Sequence, residues 1–171
     1  MSASENANAC VDVNVDVEIN VEMNAAMSAR MKMKILVIDG QGGGIGSQVV
    51  AAVRDNFPDF SITAVGTNAI ATSAMIKAGA SHVATGENAV VVCSKKADVI
   101  IGPIGIVLAD SMRGEITAAM ASAVGQSDAA RILIPTNHCS TVIAGAVDLP
   151  MGKLIQNVVQ KIQAIAQPDH L

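Results

Sequence analysis

The chain has no tryptophan and no tyrosine, and Phe57 and Phe60 are its only phenylalanines. A core built from it must therefore be aliphatic, and any mechanism that needs a phenol is excluded. The shortage of aromatics also removes the stacking platforms on which single-stranded nucleic acid is held. Bases are scarce too: 11 Lys and Arg stand against 15 Asp and Glu, with no basic stripe, so nucleic acid is a poor partner. Cysteine is limited to Cys10, Cys93 and Cys139, an odd count without close spacing. That pattern argues against a disulfide framework or a zinc knuckle, and no metal site is assigned. No apolar run approaches the roughly 18 residues that cross a bilayer. The N-terminus lacks the basic-then-apolar order of a secretory signal. A cytoplasmic protein with no membrane partner is expected.

What is present points to one α/β domain. At 171 residues a single domain is the expectation, and 51% hydrophobic content supplies a core for it. Val, Ile, Ala and Leu with nine Met must fill that core, which suits a parallel sheet covered by helices. Charge is uneven. Residues 1–30 hold five of the fifteen acids (Glu5, Asp12, Asp16, Glu18, Glu22) and one of the eleven bases (Arg30), which leaves the remainder neutral. Within this segment "VDVNVDVEINVEM" alternates apolar and polar residues, a strand period. Its like charges and low-complexity flanks make residues 1–32 an acidic, disordered tail, the alternative being an added edge strand at an oligomer contact. The domain is expected over residues 33–167.

From Lys34 strand and helix alternate. "KILVID" reads as a buried strand, followed by a helix that stops before Pro58. "SITAVG" is a second strand, and a helix capped by Thr67 or Asn68 runs to Gly79. "SHVAT" and "GENAVVVCSKKA" repeat the pair. "DVIIGPIGIVLA" is a strand interrupted at Gly102-Pro103, with a helix expected from about Arg113 to Val124. "RILIP" is the fifth strand, "TVIAGAV" a short sixth, and Pro150 opens the last helix. Such alternation predicts a Rossmann-like three-layer α/β domain with a mostly parallel sheet of five to six strands.

In such a sheet ligands bind beyond the carboxyl ends of the strands. The segments expected at that rim are Asp39–Gly46, Gly66–Asn68, Gly102–Gly105 and Thr136–Thr141. The first holds five glycines in seven residues: Gly40, Gly42, Gly43, Gly44 and Gly46, with Gln41 and Ile45 between them. G-x-G-x-x-G does not fit, because Ile45 or Ser47 falls where its third glycine belongs. G-x-x-x-G-x-G does, through Gly40, Gly44 and Gly46. This resembles the T-G-x-x-x-G-I-G loop of short-chain dehydrogenases, with Asp39 in place of the threonine. Glycines there let a backbone approach an anion, and the N–H groups of the following helix face it. The second strand lacks the ribose-binding acid, so Thr67 or Asn68 would have to serve. With no tyrosine, the Tyr-x-x-x-Lys chemistry of that family is excluded. A phosphate-bearing small molecule, NAD(P) or another nucleotide among the candidates, is the expected ligand; a turn required only for packing is the alternative. Asp39 opposes a bare phosphate unless it caps backbone N–H groups or holds a ribose or a cation. Gly102 and Pro103 permit close approach of either a ligand or a neighbouring strand.

Taken together, "KILVIDGQGGGIG", "GTNAIATSAMIKAGA", "ATGENAVVV", "ADVIIGPIGIVLADSMRGEIT" and "ILIPTNHCS" resemble a small bacterial family, the domain of unknown function 3842, from about Met33 to about Ile162. The resemblance implies one Rossmann-like domain and a start near Met33, and it implies no reaction. Two further readings stay open. Cys139, beside His138, could serve as a nucleophile or redox thiol, with Asp110 or Glu87 as an alternative base. A structural module with a vestigial glycine loop is the other, and exposed sheet edges allow a homodimer. Arg113 is either a phosphate contact or part of a solvated cap.

Overall fold

The computed structural model describes residues 32–136 and 141–167. Five strands form one sheet: β1 (Lys34–Asp39), β2 (Ser61–Gly66), β3 (His82–Thr85), β4 (Val99–Pro103) and β5 (Ala130–Ile134). Every pairing is parallel and the order is β3-β2-β1-β4-β5. β1 therefore lies at the centre, where the strand order reverses. That reversal opens the crevice in which doubly wound sheets bind ligands.

The period of two along each strand divides the core. Ile35, Val37, Ile62, Ala64, Val99 and Ile101 face one way. Against them pack α1 (Gly44–Asn56), α2 (Ala69–Lys77) and α5 (Met151–Ala166), through Val49, Val50, Val53, Met75, Val158 and Ile162. Leu36, Ile38, Val65 and Ile100 face the other way, onto α3 (Glu87–Ser94) and α4 (Ala118–Gly125). Phe57 and Phe60 stack at 4.9 Å between ring centroids and close the foot of the first layer. No helix among the described residues is long and apolar enough to cross a membrane.

Three local expectations need correction. The apolar run after Asp98 leaves the sheet at Pro103 and continues as a 3-10 turn, Ile104–Val107. The helix expected from Arg113 begins at Ala118, where the Thr117 hydroxyl accepts the Met120 N–H at 3.2 Å. Before it, Asp110, Met112 and Arg113 are left-handed, with φ of 62°, 53° and 61°, so no right-handed helix can pass through them. "TVIAGAV" forms no strand: residues 141–150 are an exposed connection turning at Gly145, φ 82°. The expected tail, residues 1–32, lies outside the described residues except for Lys32.

Candidate functional site

β1 ends in Asp39, which is 4% exposed. Its Oδ1 accepts the Gly40 N–H at 2.8 Å and its Oδ2 accepts the Gly46 N–H at 2.6 Å. The carboxylate thus ties the end of the strand to the first turn of α1. No other acid occupies that turn, so Asp39 supplies the negative charge that a helix N-terminus favours. Burial pushes the Asp39 carboxyl above the ordinary range. The bonds from Gly46, Gly40 and Ile45 oppose that shift, and the nearby Glu115 adds to it.

The five glycines fall into two groups. Gly40, Gly43 and Gly46 are buried. A Cβ on Gly40 would meet Thr67 Oγ1 at 2.7 Å, one on Gly43 the Ala71 backbone at 2.7 Å, and one on Gly46 the Asp39 Cβ and Met75 Sδ, both at 2.7 Å. Packing demands these three. Gly42 and Gly44 are exposed, and a Cβ on either meets nothing within 4 Å. Their N–H groups have no protein acceptor among the described residues. The neighbouring N–H groups are taken: Gly40 and Gly46 by Asp39, Gly43 by the Gly40 carbonyl at 2.9 Å, and Gln41 by Glu115 at 2.8 Å.

Glu115 closes the β2 side of the loop. Its Oε2 accepts from Gln41 N–H, from Asn68 Nδ2 at 2.9 Å and from the Thr67 hydroxyl. Burial raises the Glu115 pKa, but the three hydrogen bonds together outweigh it and hold the carboxyl below the ordinary range. Asn68 also caps α2, accepting the Ala71 N–H at 2.9 Å, and donates to the Gln41 carbonyl at 3.0 Å. Thr67 and Asn68 are therefore engaged by a side chain of the protein itself. Residue spacing gives no reason to single out Glu115, because its position depends on the left-handed turn ahead of it.

On the other side the loop borders a cleft of about 910 Å³. Asp39 and every residue from Gly40 to Ile45 line it, with Gln48 of α1, Pro135 and Thr136 beyond β5, the 141–149 connection, and Met151 and Leu154 of α5. Gly46, Thr67, Asn68, Gly102 and Pro103 are not among the lining residues. Gly102 is a packing glycine: a Cβ there would lie 2.4 Å from the Ile38 carbonyl oxygen. Arg113 is exposed and away from the cleft. Of the alternative bases, Asp110 is exposed, and Glu87 accepts the Thr117 hydroxyl at 2.5 Å. His138 and Cys139 lie outside the described residues. No group of three or more metal-ligating side chains occurs among the described residues.

A family model described as Domain of unknown function (DUF3842) matches residues 34–167. Among solved structures the chain is similar to a dodecameric FMN-dependent UbiX-like decarboxylase from Escherichia coli O157:H7. The two are 16% identical, with a TM-score of 0.39 over 78% of this chain and 76% of that one. No curated protein matches the sequence.

Proposed function

This chain belongs to the DUF3842 family, and we propose that it binds a phosphate-bearing small molecule, nucleotides among the candidates, on the Gly40–Gly46 loop. One observation carries this reading: Gly42 and Gly44 lack a side chain where packing does not require it, and both line the cleft with N–H groups that no atom of the described residues accepts. A glycine free of steric need, with an open donor at the start of a 13-residue helix, fits close approach of an anionic oxygen. Asp39 is accommodated, since its oxygens are turned to Gly40 and Gly46 and leave the other two donors open.

The test is a thermal-shift and titration panel of inorganic phosphate, mononucleotides, NADH, NADPH, ATP and flavins. At least one phosphate-bearing probe should raise the melting temperature, and Gly44→Val should remove that response. The absence of Trp and Tyr leaves the fluorescence background low. No response to any probe, or a response that Gly44→Val leaves intact, overturns the reading.

A further inference from the structure

The two sides of the glycine loop differ in a way that selects among phosphate-bearing ligands. On the β2 side the Glu115 carboxylate engages Gln41 N–H, Thr67 and Asn68, the groups available there to a ribose. The Glu115 oxygen sits close over Gly40, 2.8 Å from where a Cβ would lie. The cleft lies on the opposite side, beneath α5 and the 141–149 connection. There Val142, Ile143, Val147, Leu149, Met151 and Leu154 line it with apolar side chains, interrupted by Thr141 and by the acid Asp148. Val142 is 94% exposed and Val147 71% exposed, so these side chains have little protein cover. No Lys, Arg or His stands among the described lining residues. The negative charge of Asp39 already lies at the α1 N-terminus, where an anion would gain most from the helix dipole.

We infer that the cleft takes a compact amphiphile, with a single phosphate or comparably weak anionic head at Gly42 and Gly44 and an apolar body against the 141–149 connection, rather than a dinucleotide or a triphosphate. This rests on the binding reading above and narrows it. A polyphosphate would bring several charges to a site with no described cation, whereas two N–H donors are enough for one head group. The apolar body supplies the remaining affinity through area removed from water.

Isothermal titration of the full chain with hexyl phosphate, inorganic phosphate, NADH and ATP tests the inference. Hexyl phosphate should bind about tenfold or more tighter than each of the other three, a margin of roughly 1.4 kcal/mol. The pair Val147→Ser and Leu149→Ser lies on an exposed connection outside both core layers, so the fold should survive it. In that variant hexyl phosphate should fall to the affinity of inorganic phosphate, with inorganic phosphate itself unchanged. If NADH or ATP binds more tightly than hexyl phosphate and Gly44→Val abolishes that binding, the loop is a nucleotide site and the amphiphile inference falls alone. If no probe binds, or Gly44→Val changes nothing, both readings fall.

Discussion

At the residue scale the loop makes a sharp distinction between glycines that look alike in the sequence. Gly44→Val places its methyls in open space at a backbone angle any residue adopts, so the folded state should survive with its melting temperature nearly unchanged. Gly46→Val drives a side chain into Asp39 and Met75 and should cost about 1–3 kcal/mol or more, as overpacking does. Chemical denaturation of both variants checks the contrast; equal losses would contradict it. The two carboxylates should likewise titrate in opposite directions from their ordinary values. Burial raises Asp39, whose proton then favours the folded state: that contribution is full below the ordinary aspartate pKa and is lost as pH rises through the folded one. Glu115 is lowered, so its contribution is present above the ordinary glutamate pKa and disappears as pH falls through the folded one. Carboxyl carbon NMR should show Asp39 high and Glu115 low. Glu115→Gln, by removing a like charge, should move Asp39 downward.

At the element scale the strands were legible because parallel, doubly covered strands are continuous apolar runs with little ambiguity: KILVID and SITAVG become β1 and β2 with those bounds. The α2 cap was legible for a related reason, since Asn68 satisfies a local need with a local side chain. Two elements were not. Asp110–Arg113 holds no glycine to announce a left-handed turn, and Met112 and Arg113 favour a right-handed helix in isolation; tertiary contacts accompany the turn, since the Ser111 hydroxyl donates to the Gly105 carbonyl at 2.5 Å and Ile116 is fully buried. Glu115 is set in place by that turn, so its reach to Thr67 could not be read from spacing. The 141–149 connection carries strand-like residues but forms no strand; an apolar run alone does not say whether a backbone partner is within reach. Removing the α4 cap by Thr117→Ala should cost about 1 kcal/mol, because the Met120 N–H loses its acceptor and Glu87 its donor. A urea midpoint unchanged from wild type would show that the helix start is held by packing instead.

At the scale of the whole molecule, one sheet serves two aliphatic layers, so the layers should unfold together. Ile101 belongs to the layer of α1, α2 and α5, and Ile100 to that of α3 and α4; each is fully buried. Ile100→Ala and Ile101→Ala should each cost about 2–5 kcal/mol while preserving a single cooperative transition. Separate transitions by different probes would mean that the layers are independent. This shared sheet also carries the candidate site: β1 at the point of reversal presents its glycine loop to the cleft, and Asp39 bonds that loop through Gly40 and Gly46. The most direct measurement of whether the loop binds is an amide NMR titration of the full chain with inorganic phosphate. The Gly42 and Gly44 cross-peaks should move downfield and saturate together, while those of Gly40, Gly43 and Gly46, whose N–H groups already have acceptors, move least. Unmoved Gly42 and Gly44 resonances, or saturable shifts confined to residues outside the loop, would contradict it.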